Sequence, residues 1–266
     1  MVLMTGLAWH ASAAELHVET GRHSSTWTTE ALLHRPDVRR ITVPGDVAFH
    51  RTMQYRAVPL AALLQDVRAD DHLQFTASDG FVAEMPAALV LQPNGSTAWL
   101  AIDDPAHPWP APDAGHGSAG PFYVVWTEPR AAGIGPEQWP FQLAAIRVLP
   151  DPAARFAAIQ PAAELPADSP VRRGFAVFQR TCFACHTLNG EGAATLGPDL
   201  NLPHNPVEYL PADLLRAYIR DPQSLRRWPQ ARMPGFSRQV LPDTDLDALL
   251  AYLRHMADHR PPPGGH

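Results

Sequence analysis

The sequence predicts two domains of different class, a strand-dominated α+β domain followed by an all-α one. Three observations carry this expectation. Through the first 150 residues apolar positions alternate in short runs separated by turn residues, the two-residue period of strands. From about residue 169 the apolar positions recur at helical spacing instead. Between the two lies a stretch of proline and alanine, with Pro152, Pro161, Pro166 and Pro170, whose composition suits an extended, semi-rigid connection. A chain of 266 residues is long enough for two domains of ordinary size.

In the first domain, taken as residues 15–150, Glu15–Glu19 and Arg40–Val43 alternate as strands, and Thr29–Leu33 reads as a short helix with a threonine cap. The run from Tyr55 to Leu64 places Pro59 where a helix could begin, because proline lacks the N–H that a first helical turn leaves unused. Leu73–Ala77 and Phe81–Met85 flank Ser78-Asp79-Gly80, a hairpin whose Asp-Gly supplies the positive φ of a tight turn. Further strands are expected at 98–102, 122–126 and 143–149, with a loop rich in Pro, Gly and His at 103–121. Trp99, Trp109, Trp126 and Trp139 read as core and domain-contact residues, and Glu137-Gln138-Trp139-Pro140 as a candidate contact with the second domain.

In the second domain, residues 169–260, helices are expected from Val171 to Cys182 and from Leu210 to Arg220. A third follows Asp243-Thr244-Asp245, whose acids suit a helix N-terminus, with Leu246, Leu249, Leu250 and Leu253 as its apolar stripe. Residues 151–168 form the linker and 261–266 a disordered tail.

Composition narrows the functional classes. The hydrophobic share of 45% allows real cores, and the 29 prolines are about twice the average share. All 21 basic residues are arginine. The net charge of −6 arises in the first domain and linker, where residues 15–160 carry 16 acids against 10 arginines, while the remainder is balanced at 11 of each. Without a basic tract, nucleic acid is not an expected partner. Residues 1–14 form an apolar run ending in Ala11-Ser12-Ala13-Ala14, resembling a signal peptide. It lacks a positive start, which suggests that the recorded start is truncated or misassigned. As a membrane span it is too short, so stable membrane insertion is not expected.

The chain has two cysteines, and both lie in Cys182-Phe183-Ala184-Cys185-His186. Cys-x-x-Cys-His is the attachment signature of a c-type haem. Two thiols three positions apart on one helical turn can each form a thioether to neighbouring vinyl groups, which holds the next residue, His186, under the ring as an iron ligand. A bare Cys-x-x-Cys would read equally as a redox pair or half a zinc site. Haem attachment occurs outside the bacterial cytoplasm, so a periplasmic protein is expected.

The second domain resembles class I cytochromes c. Gly174 and Phe178 lie four apart on the helix that delivers the motif, Gly197-Pro198-Asp199-Leu200 matches the Gly-Pro-x-Leu element, and Met233-Pro234-Gly235-Phe236 the Met-Pro-x-Phe element. The resemblance implies one covalent haem, close crossing of a C-terminal helix over Gly174, and contact of Phe178 with Tyr252. It also implies that the Pro198 carbonyl accepts the Nδ1 proton of His186, that Leu200 packs on the ring, and that Met233, forty-seven positions after His186, is the sixth ligand. Met256 is the other thioether of this domain; His204 or an open position are the alternatives. Arg220, Arg226, Arg227 and Trp228 border a turn where an arginine could hold a haem propionate, or simply be solvated.

Within residues 40–150, the order Tyr55-Arg56-Ala57-Val58-Pro59-Leu60, Ser78-Asp79-Gly80-Phe81-Val82-Ala83, Met85-Pro86, Trp99-Leu100-Ala101 and Gly120-Pro121-Phe122-Tyr123-Val124-Val125 resembles the molybdopterin-binding domain of the sulfite oxidase family. That family holds molybdenum through a cysteine, and this segment has none; His50, His72, His107 and His116 are not obvious substitutes for a thiolate. The expectation is therefore an electron carrier without molybdopterin, rather than an enzyme, whose first domain docks redox partners such as a donor dehydrogenase or a terminal oxidase or reductase. The alternatives are a molybdenum oxidoreductase feeding its own haem, or a copper protein using His50 and Met53.

Overall fold

A computed structural model describes residues 14–91, 95–112, 117–228 and 230–260. The signal-like segment apart from Ala14, His116 and the expected disordered tail at 261–266 lie outside the described residues. The chain forms a strand-rich domain followed by a helical one.

The first domain holds nine strands: β1 (Glu15–Glu19), β2 (Ser24–Thr28), β3 (Arg39–Val43), β4 (Met53–Pro59), β5 (His72–Ala77), β6 (Val82–Pro86), β7 (Thr97–Ile102), β8 (Phe122–Thr127) and β9 (Leu143–Leu149). They make a five-stranded sheet in the order β2-β1-β9-β5-β6 and a four-stranded sheet in the order β3-β4-β7-β8. All pairs are antiparallel except β1 with β9. Short helices α1 (Thr29–Leu33) and α2 (Ala88–Leu91) connect strands. The Thr28 hydroxyl accepts the Ala31 N–H, as the cap pattern predicts.

The expected hairpin forms with Leu73 opposite Met85, and Gly80 takes φ +95°. The helix expected from Pro59 forms only as a short 3-10 turn. Residues 53–59 are strand, with Tyr55, Ala57 and Val58 buried, and only Leu60–Leu63 coil, as a 3-10 turn. Pro59 both ends β4 and stands as the cap of that turn. The interior is aromatic: Tyr55 meets Trp109 edge-on at 5.0 Å, and Tyr123 meets Trp139 and Phe141 at about 6 Å. At its centre the buried Asp46 carboxylate accepts the Tyr55 hydroxyl at 2.8 Å and the amides of Ala48 and Phe49.

After α3 (Pro152–Arg155) the second domain contains α4 (Pro170–Thr181), α5 (Pro206–Tyr209), α6 (Ala212–Arg220), α7 (Pro222–Leu225) and α8 (Asp243–Ala257). Helices α4 and α8 cross at Gly174, where a Cβ would lie 2.7 Å from that of Tyr252. Phe178 packs on Tyr252 with ring centroids 5.3 Å apart. No helix among the described residues is long and apolar enough to cross a membrane.

Residues 151–168 do more than space the domains. Ile159 is fully buried in the helical core, and its carbonyl accepts the Tyr252 hydroxyl at 2.5 Å. The Ala158 carbonyl accepts from Asn189, and the Ala162 N–H donates to His255. At the other end Arg155 pairs with the buried Glu84 of β6. The segment is thus a strap fastened to both domains.

Candidate haem site and the seam beside it

The site is built where α4 ends. The N–H groups of Cys182 and Phe183 both bond the Phe178 carbonyl, and the Cys185 and His186 N–H groups bond that of Cys182, so the motif continues as a tight turn. Both cysteines are free thiols and half-buried. Burial pushes both thiols up, Cys185 to about 12, so the uncharged thiol is the resting form of each.

His186 Nδ1 lies 2.8 Å from the Pro198 carbonyl, an arrangement that commits Nδ1 as donor and leaves Nε2 for a metal. Burial lowers the imidazole pKa, opposed by the Pro198 bond and by the nearby Asp199 charge; the neutral ring is the form that ligates iron. Gly197 gives the ring its room, since a Cβ there would stand 2.5 Å from His186 Cε1. Asp199 binds the loop together. Its carboxylate accepts the amides of Asn201 and Leu202 at 2.7 Å and that of Gly190 at 2.8 Å, and the Thr187 hydroxyl at 3.0 Å. Leu200 is half-buried against the helical core.

A second device holds this loop, one that sequence reasoning missed. Asn189, Asn201 and Asn205 are all buried and form a ladder of amides. Asn205 donates to Asn201 at 2.8 Å, and Asn201 to Asn189 at 2.7 Å. Asn201 and Asn205 also donate to the Met256 and Leu253 carbonyls of α8. Isolated loop asparagines carry no periodic signal; the loop's return to the end of α8 is what makes them a unit.

Of the thioethers, Met256 is 1% exposed inside the core, whereas Met233 lies in an irregular stretch and packs only partly on it. The side chain of His204 is largely exposed, with Nδ1 3.9 Å from Glu208. Arg220 is engaged elsewhere. Its guanidinium donates to the carbonyls of Phe236 and Leu241 and pairs with Asp243 at 2.7 Å, which ties α6 to the start of α8 and satisfies the cation without a propionate. Trp228 is exposed, with the Arg226 guanidinium 4.9 Å over its ring. Tyr209, Leu214, Leu225 and Trp228 are the exposed large apolar side chains among the described residues.

These features fit a covalent haem: two thiols at thioether spacing, an imidazole oriented through its second nitrogen, and a glycine that leaves space for the ring. When bound, the haem supplies reversible one-electron chemistry.

The seam with the first domain lies against this same turn. β6 is the edge strand of its sheet, and Val82 N–H donates to the Ala184 carbonyl, within the haem motif, at 2.9 Å. Thr195 N–H donates to the Gly80 carbonyl at 3.0 Å. The 3-10 turn Pro136–Gln138, which carries Glu137, packs on β6, the strand that bonds the haem-attachment turn.

The copper candidates diverge, with His50 exposed and Met53 packed in the core at 8% exposure. Among the described residues no group of three or more His, Cys, Asp or Glu is placed to hold a metal ion.

Residues 171–257 match the cytochrome c family, and this segment is a cytochrome c domain, an electron-transfer module that takes covalent haem c. No curated protein matches the chain. A solved structure with some likeness is the sulfane dehydrogenase SoxCD from Paracoccus pantotrophus, at 14% identity and a TM-score of 0.36, covering 52% of this chain and 38% of that one. The chain thus spans well under two thirds of that chain's length, and the TM-score is below that of a shared fold.

Proposed function

We propose that this is a periplasmic cytochrome with one haem c, passing single electrons between redox proteins, in which the first domain is a docking and structural module. The haem is held by Cys182 and Cys185 and ligated by His186 and Met233, with Pro198 and Leu200 supporting it. The single observation that carries the reading is the His186 Nδ1 to Pro198 carbonyl bond beside two free thiols at thioether spacing. With both axial positions filled, iron changes oxidation state with little rearrangement, and the thioether favours the ferrous form.

The docking role of the first domain is supported by its lack of a cysteine and by an interior filled with the Tyr55, Trp109, Tyr123 and Trp139 rings around Asp46. The decisive experiment is an optical and redox titration of protein matured in a periplasm, with metal analysis. The expected result is one haem per chain, reversible one-electron behaviour and no carbon monoxide binding to the ferrous form at neutral pH. Stoichiometric molybdenum, or rapid carbon monoxide binding, overturns it. Met233→Ala should open the sixth position to carbon monoxide, while Met256→Ala should leave it closed.

A further inference from the structure

The strap is fastened to α8 by a bond that only a neutral histidine can make. The Ala162 N–H donates to Nε2 of His255, in the last turn of α8, at 3.0 Å. The accepting nitrogen carries the lone pair of the ring, so the one proton of this imidazole sits on Nδ1. His259, one turn further on, donates from its own Nδ1 to the His255 carbonyl at 2.6 Å. Its ring lies stacked on that of His255, with centroids 4.0 Å apart. Burial disfavours a charge on His255, and a charge on His259 disfavours it further; together they hold His255 below the ordinary histidine pKa. Two carboxylates oppose them, Asp258 at the end of α8 and Glu164 on the strap. The negative end of the α8 dipole also favours a cation here. The other cation on this face is Arg172 of α4, which donates to the Ala163 carbonyl at 2.8 Å and to that of Leu165 at 2.9 Å.

We propose that His255 is a proton-operated latch on the strap: protonation of its Nε2 releases the Ala162 amide from α8, and deprotonation closes the bond again. A proton drawn from water must bind at Nε2, and the lone pair it needs there is the one that the Ala162 amide occupies. Once it has bound, two N–H groups face each other, so proton uptake and the bond exclude one another. Release is local. The Tyr252 hydroxyl still holds the Ile159 carbonyl, Arg172 still holds Ala163 and Leu165, and Arg155 still pairs with Glu84. The domains therefore stay joined while the stretch between Ile159 and Ala163 loses its tie to the end of α8. An unfolded histidine takes its proton more readily than this one. The latch thus adds stability above the ordinary histidine pKa, and that contribution is lost as pH falls towards the folded value. The connection between the domains is tight at neutral pH and slack in acid.

The test is amide hydrogen exchange of the haem-loaded full chain, read at Ala162 relative to an unstructured chain at the same pH. Protection at Ala162 should fall roughly tenfold or more between about pH 8 and pH 4.5. The midpoint of that fall should coincide with the titration of the His255 ring nitrogens, followed by their NMR shifts. The Phe236 amide, bonded to the Ile219 carbonyl at 3.0 Å in the same domain, should keep its protection. His255→Gln offers an oxygen that accepts the bond and does not titrate, so Ala162 should stay protected in acid; His255→Phe should leave it open at every pH. His259→Gln removes the charge stacked on the ring, so release should move to higher pH. Four results overturn the latch: protection in the parent that does not change, a His255 ring that titrates while Ala162 stays protected, protection still lost in acid in His255→Gln, or Ala162 and Phe236 loosening together, which is general acid unfolding. The parent measurements need no variant, so they decide even where a substitution fails to fold.

Discussion

Gly174 of α4 runs directly beneath the Ala248 carbonyl of α8, so close that a single added methyl would collide with that oxygen and with the Tyr252 Cβ. Both obstacles belong to a helix that cannot yield without moving its whole buried face. Gly174→Ala should therefore destabilise the second domain by at least the ~1–3 kcal/mol usual for overpacking. Chemical denaturation of the haem-loaded protein checks this, with an unchanged stability as the result against it.

The asparagine ladder makes a separate prediction. Asn201→Ala removes the donor to both Asn189 and the Met256 carbonyl and leaves the Asn205 amide with only its bond to Leu253. Leaving such buried groups unpaired costs about 1–3 kcal/mol each before relaxation, so a loss on the order of 2–4 kcal/mol is expected. Amide hydrogen exchange should show the 187–205 loop losing protection first.

Gly197→Ala acts on the ligand instead. The new Cβ would press on His186 Cε1 and Nδ1, so the imidazole must tilt or its bond to Pro198 must lengthen. The expected outcome is a changed ferric electron paramagnetic resonance spectrum and a shifted midpoint potential, with haem still covalently attached. An unaltered spectrum would show that the ring has slack.

Asp243 gives a prediction in pH. Hydrogen bonds from Arg238 and then Arg220 hold its carboxyl below the ordinary 3.8. A folded-state pKa lowered in this way stabilises the fold above the unfolded value, and that contribution is lost as pH falls through the folded one. Asp243→Asn should lower the denaturation midpoint at neutral pH, and the gap to the parent should close in strong acid. Because the pair is exposed, added salt should narrow it too.

These cases also show which parts of the molecule were legible beforehand. The β5–β6 hairpin was, because Asp79-Gly80 sits between alternating runs. The α4–α8 crossing was, because Gly174 and Phe178 lie four apart on one helix and the resemblance to class I cytochromes c implies that they meet the helix of Tyr252. Strand β2, Ser24-Ser25-Thr26-Trp27-Thr28, was missed because one apolar side chain, Trp27, among four hydroxyl residues gives no alternation, and the strand lies at a sheet edge. The helix expected from Pro59 proved to be a single 3-10 turn because the apolar residues after it satisfy the helical period without extending it. The position of Glu137 was legible only as a guess about domain contact. The strand its turn packs on, β6, lies about fifty residues back in the chain, and no local pattern carries that distance.

The bond from Val82 to Ala184 has one more consequence. An unpaired sheet edge offers a row of amides and carbonyls to any extended chain, and proteins that leave one exposed tend to join edge to edge. Here the turn that bears Cys182 and Cys185 lies against the β6 margin and takes up one of its outward amides. The cytochrome domain therefore also acts as a cover for the first domain's sheet. A chain shortened after Leu149 should lose more than its haem: it should expose that margin and self-associate.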